Sequence, residues 1–227
     1  MSETDATSVV PQTTGASALH PDDLRTTAAL SRAALLTLQG QDWNSLAHGL
    51  EWTCWRTLQH MTGAVDWYAM LLAKPSPEPC FLRSLPQPEY SDRYPLPPVL
   101  DMLERKASVL AAVATAADPS TRSFHSFGYA DVAAYVAMGC TEMLLHTDDI
   151  VRAFGRTVEP PAELCRRVTA RLFPWAPTDT APWPTLRWAT GRDSLPGHPD
   201  TPTDWAWHAA PLAEWDGTVK TRASYSL

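Results

Sequence analysis

Two side chains in the segment 129–155, YADVAAYVAMGCTEMLLHTDDIVRAFG, have the types and spacing to do chemistry: Glu142 and His146. Read as a helix, the segment places residues four apart on one face, with Cβ atoms about 5–6 Å from each other. Asp149, three residues further on, lies on the same stripe, beside an apolar stripe of Val132, Val136, Met143, Ile150 and Phe154. A carboxylate and an imidazole bordering a buried face make two donors for a metal, if one more ligand arrives from elsewhere. Two imidazoles and a carboxylate leave a coordination position open, whereas closed structural sites normally fill all four. Such an open site polarises a water or takes a substrate thiol, whose pKa of about 8.5 falls to about 3.5–7.5 beside a metal or cation. Asp149 is placed to accept the N–H of a ligand imidazole.

Plainer readings stand beside this one. A Glu and a His four apart on a helix can simply interact with each other, and Asp149 with Arg152 can be a local ion pair worth a few tenths of a kcal/mol. His60, the other histidine in the middle of a helical pattern, can be a satisfied core residue.

The elements that must position these groups are helical. A helix begins near Pro21, Asp22 and Asp23, with acids at its positive end, and carries Leu24, Ala28, Leu35 and Leu38 until Gly40. The segment 51–73 carries Trp55, Leu58, Met61, Val65, Tyr68 and Leu72 as a stripe, with Thr53 as N-cap. His60 falls mid-helix there, and Gly63, one turn on, allows close approach of a backbone or ligand. Residues 74–98 hold eight prolines and form a long loop. Pro97 and Pro98 launch a third helix carrying Val99, Leu103, Leu110 and Val113, which stops before Pro119. A short connection with His125 leads to the helix over 129–155, and a shorter helix spans 163–173. From Trp175 onward helical periodicity fades; Leu186-Arg187-Trp188 and Trp205-Ala206-Trp207 alternate like short strands. The expected organisation is a disordered tail over 1–19, a helical bundle over 20–173 and an irregular, Trp/Pro-rich extension over 174–227 that packs on the bundle.

Composition narrows the partners. The 227 residues carry a net charge of −7 without a basic stripe, which disfavours nucleic acid and anionic membrane surfaces. No run of about 18 apolar residues is present for a membrane span, and residues 1–20 lack a signal-peptide pattern, so a cytoplasmic location is expected. Cys54, Cys80, Cys140 and Cys165 show no metal-type spacing; Cys54, Cys140 and Cys165 read as small core residues. Arg187 and Arg192 can bind carboxylates of a cofactor or substrate, or be surface charges. His20, His48, His198 and His208 read as surface or structural.

The motifs WTCWRTLQH (52–60) followed by MTGA, and EMLLHTDD (142–149), resemble the DinB-like superfamily. They are most similar to its branch of actinobacterial mycothiol-dependent maleylpyruvate isomerases and mycothiol S-transferases. WATGRDSLPG (188–197) resembles the tail of that branch, and the likeness covers about residues 20–215. It implies a mainly α, up-down four-helix bundle with His60, Glu142 and His146 as ligands of a divalent metal, zinc first and nickel next. Trp52 and Asp149 match the branch pattern, whereas Arg56 stands where an acid is often found. It also implies mycothiol as co-substrate, with a small thiol and a small electrophile as partners of a monomer or homodimer. S-transfer is the favoured expectation; thiol-dependent cis–trans isomerisation, a metal-activated-water hydrolase using Asp149 or Glu51 as base, and a non-catalytic binding domain remain alternatives.

Overall fold

The computed structural model describes residues 18–78 and 90–225. Its elements run α1 (Asp22–Leu36), α2 (Cys54–Ala73), α3 (Leu96–Ala116), β1 (Arg122–His125), β2 (Gly128–Asp131), α4 (Val132–Ala153), α5 (Ala162–Leu172) and α6 (Pro182–Ala189). Short 3-10 turns follow at Leu212–Glu214 and Arg222–Tyr225. The expected tail lies outside the described residues as far as residue 17, as do residues 79–89 of the Pro-rich loop, Cys80 among them.

Helix starts follow local chemistry. Thr53 caps α2, its side chain accepting from the Arg56 amide at 3.2 Å, which satisfies one of the free N–H groups of the first turn. Pro97 and Pro98 occupy the first turn of α3, where a missing N–H costs nothing. The fourth helix starts later than its periodicity suggests. Residues 129–131 belong to β2, which pairs antiparallel with β1 through a two-residue turn at 126–127. Asp131 then caps α4 by accepting from the Ala134 amide at 2.7 Å.

The molecule is mainly helical, with α1–α4 packed in a bundle. α1 packs on α3 and α4, and so does α2, which sets α1 and α2 across the bundle from each other. A simple up-and-down ring would instead make α1 and α2 neighbours. The fourth helix is more deeply placed than an amphipathic stripe implies: from Ala134 to Val151 every residue is buried except Glu142. Val132 and Phe154, expected on the buried stripe, are only partly buried. Gly139 lets α4 sit this close, because a Cβ there would lie 2.6 Å from Leu24 Cδ2 and 3.0 Å from Leu110 Cδ2. At Gly63 the expected close approach is absent; among the described residues nothing lies within 4 Å of a Cβ built there.

Beyond the bundle, α5 packs on α4 and α6 packs on α5. The strand-like reading of Leu186-Arg187-Trp188 is corrected: these residues lie in α6. Thr185, Leu186, Trp188 and Ala189 are its buried residues, an i, i+1, i+3, i+4 pattern that a three-residue window cannot reveal. At Trp205 the strand-like reading reduces to a single bridge with Thr221. The C-terminal tryptophans form an aromatic cluster in which Trp205 meets Phe173 and Trp207, and Trp207 meets Phe127 and His125, at ring separations of 5.6–5.9 Å. Buried Arg171 of α5 fastens this segment. It donates to the carbonyls of His208, Ala209 and Ala210 at 3.0–3.1 Å and to the capping Asp131 carboxylate at 2.6 Å.

Cys54, Cys140 and Cys165 are free and buried, as expected of core residues. Burial pushes their thiols up to about 11, 12 and 12 respectively.

Candidate metal centre

His60 sits two turns into α2, whose start Thr53 caps, while Glu142 and His146 lie one turn apart on α4. Packing of α2 on α4 brings the three together. His60 Nε2 lies 3.3 Å from Glu142 Oε2, and His146 Nε2 lies 3.2 Å from the same oxygen. The two imidazole rings are 5.1 Å apart and perpendicular. One nitrogen or oxygen from each residue falls within 4.8 Å of the other two, the spacing of a group that could hold a metal ion. Glu142 and His146 side chains are each 11% exposed and His60 is 23% exposed, so the group is sheltered but reachable.

Donor spacing and donor type both suit a cation. Ligand bonds of about 2.0–2.2 Å at the tetrahedral angle put neighbouring donors about 3.3–3.5 Å apart, close to the two separations found. His146 Nδ1 is 2.9 Å from Asp149 Oδ2. A carboxylate only accepts, so Nδ1 carries the proton and donates it, which leaves Nε2 as a lone pair when the ring is neutral. That lone pair faces the anionic Glu142 oxygen, an arrangement favourable only with a proton or a metal between them.

The surrounding residues hold each donor in place. Tyr68 donates its hydroxyl to Glu142 Oε1 at 3.0 Å, leaving Oε2 directed at the imidazoles. Asp149 is gripped by Arg192, whose Nε reaches Oδ1 at 2.9 Å and whose Nη2 reaches Oδ2 at 2.8 Å. The His48 amide donates to the Asp149 carbonyl at 2.8 Å, tying the segment before α2 to α4. Trp52 packs its ring 4.9 Å from that of His60, and the Arg56 guanidinium lies 5.1 Å from the Trp52 centroid. Arg56 therefore rests on an aromatic face rather than taking the place of an acid beside the triad.

Electrostatics follow from this placement. Burial works to raise the Glu142 carboxyl, yet the His146 and His60 imidazoles outweigh it and hold the group well below the usual carboxylate range. Burial likewise opposes charge on Asp149, but His146 and Arg192 keep it below its ordinary value. Burial would lower His146, and its contacts with Asp149 and Glu142 raise it instead.

The neighbouring arginines are engaged with the chain's own carboxylates. Arg187 Nε lies 3.2 Å from Asp148 Oδ2 and its Nη2 lies 2.5 Å from Asp193 Oδ2. Arg152 reaches Asp148 and Asp193 at 3.7 Å each, so the ion pair read between Asp149 and Arg152 forms with Asp148 instead. Burial raises the Asp148 carboxyl despite the guanidinium groups beside it. His125 is buried in the aromatic cluster, its ring 5.9 Å from that of Tyr68 and its Nδ1 accepting from the Phe127 amide at 3.1 Å, and so stands behind Tyr68. His20 and His48 are exposed, His198 is partly buried and His208 is buried.

Sequence spacing brought Glu142, His146 and Asp149 to one stripe but missed Tyr68, read there only as part of an apolar stripe. Its place two turns beyond His60 was visible; its partner on α4 was not. Compared with models of known families, with curated proteins and with solved structures, the chain finds no match in any of the three.

Proposed function

We propose that the chain is a DinB-like, metal-dependent enzyme that activates a low-molecular-weight thiol, of the mycothiol kind, for S-transfer to a small electrophile. The observation that carries the reading is that His60 Nε2 and His146 Nε2 each lie 3.2–3.3 Å from Glu142 Oε2, the donor spacing of a tetrahedral site, in a group of three donors among the described residues. A divalent ion, zinc first and nickel as the alternative, would supply a positive charge that favours loss of the thiol proton. Around it, Tyr68 fixes which Glu142 oxygen is presented, and Asp149 fixes which His146 nitrogen is presented. Trp52 packs against the His60 ring. The sequence motifs at 52–60, 142–149 and 188–197 support the DinB-like assignment and with it the mycothiol branch.

One feature favours a thiol nucleophile over metal-activated water. A hydrolase of this type needs a general base near the water. Asp149, the acid nearest the triad, has both oxygens occupied by Arg192 and His146. In this reading Asp149 is a positioning residue, and Arg187 and Arg192 serve the chain's own acids.

Purified protein should hold close to one equivalent of zinc, and His60→Ala should lower this below about a tenth. Metal-loaded protein mixed with a small thiol and a generic electrophile should consume both, and in cobalt-substituted protein the thiol should produce a sulfur-to-metal absorption band. A cis–trans change in a conjugated substrate without net thiol loss would identify the isomerase chemistry instead. Turnover that needs no thiol would overturn the proposal.

A further inference from the structure

The C-terminal segment reaches Asp149, beside the triad, through Arg192. After α6 the chain turns at Gly191, where φ is +66° and a Cβ would press on the Trp205 ring at 3.3 Å. The amides of Gly191 and Arg192 donate back to the Trp188 and Arg187 carbonyls at 2.9 Å each. This tight turn directs Arg192 onto Asp149, whose side chain is only 3% exposed. Both Asp149 oxygens are taken by the planar fork, at 2.9 and 2.8 Å, a geometry that lysine cannot reproduce. Asp149 Oδ2 is also the atom that meets His146 Nδ1.

We propose that Arg192 is a positioning residue for the metal site: by locking the Asp149 carboxylate, it fixes the proton of His146 on Nδ1 and aims Nε2 at the ion. The inference rests on the metal reading above. Free rotation of the Asp149 carboxylate would let the imidazole turn or change tautomer, and either removes a donor from the triad. The C-terminal segment thereby becomes a third layer of the site, behind the ligands and Asp149.

A mere docking contact would make different demands. The same turn carries Asp193, which anchors it to Arg187 at 2.5 Å and to Arg152 at 3.7 Å without touching Asp149. Docking can therefore be weakened separately from the grip on Asp149.

The test uses full-length protein with Arg192→Met, Arg192→Lys and Asp193→Ala. Zinc affinity is measured by competition with a chromophoric chelator, and the His146 ring nitrogens are followed by ¹⁵N NMR in zinc-loaded protein. Arg192→Met should bind zinc about 10–100-fold more weakly, the usual effect of losing a residue that supports a ligand. In the zinc-loaded form its His146 nitrogens should move from one state, Nδ1 protonated and Nε2 metal-bound, towards a mixture. Arg192→Lys, which keeps the charge and the fold, should recover part of both, whereas Asp193→Ala should change affinity by less than about threefold. The inference is overturned if Arg192→Met keeps wild-type affinity and tautomer, or if Asp193→Ala matches its loss. A wild-type protein that binds no zinc would overturn the metal reading and this inference with it, whereas zinc binding that Arg192→Met leaves intact overturns the inference alone.

Discussion

Replacing Arg171 by methionine tests whether the C-terminal segment is held by charge or by its aromatic side chains. Methionine keeps most of the aliphatic stem, so the change removes a guanidinium with little loss of packing. Four acceptors lose their donor: the Asp131 carboxylate and the carbonyls of His208, Ala209 and Ala210. Breaking a buried ion pair from one side costs about 3–5 kcal/mol. Two details move that figure in opposite directions. Asp131 is 19% exposed and keeps its bond to the Ala134 amide, which softens the loss. His208 and Ala209 are buried, so water cannot readily replace the donor at their carbonyls. A loss of about 3–5 kcal/mol is a large share of the roughly 5–15 kcal/mol that stabilises a typical domain. At about 2–4 °C per kcal/mol for a chain of this size, melting should fall by on the order of 10 °C. Arg171→Lys should recover little, because one ammonium cannot serve acceptors spread around a planar fork. Calorimetry and limited proteolysis near residues 208–210 read the outcome. A melting shift below about 2 °C, with no new cleavage, would refute the assignment of Arg171 as the fastening of this segment.

Other consequences are open to measurement. Tyr68→Phe removes the donor to Glu142 Oε1; zinc affinity should fall about tenfold, since the loss falls on an oriented ligand, and an unchanged affinity would mean that Glu142 needs no such support. His208 is held below its ordinary pKa by burial, although its contact with the Pro211 carbonyl opposes this. A depressed histidine contributes stability above its unfolded pKa of about 6.5 that is lost as pH falls through the folded value. Between pH 7.5 and 5.5 wild-type protein should therefore lose more stability than His208→Gln, and parallel curves would contradict it. With three thiols buried and pushed up to about 11–12, no more than one thiol, that of Cys80, should react promptly with a thiol reagent at pH 8 before unfolding. Prompt labelling of two or more would show that the core opens.

By itself, the sequence determined the features that local spacing controls. Apolar residues three and four apart placed α1 to α4, although α1 ends at Leu36, short of Gly40, and α4 starts at Val132; Thr53 announced the start of α2 because capping is settled within four residues. The same periodicity set Glu142, His146 and Asp149 on one stripe of α4. It failed where the deciding partner lies far along the chain or the window is short. Asp131 is a cap whose competing strand depends on pairing with Arg122, and the buried pattern of α6 needs more than three residues to emerge. Only the tertiary structure decided that His60 faces the α4 pair, that Tyr68 holds Glu142, and that Arg192 grips Asp149. These contacts span 74 residues between Tyr68 and Glu142 and 43 between Asp149 and Arg192, so helix packing and the turn at Gly191 create them. Side-chain type and local period travel with the chain; the meeting of donors at one point exists only once the helices are packed.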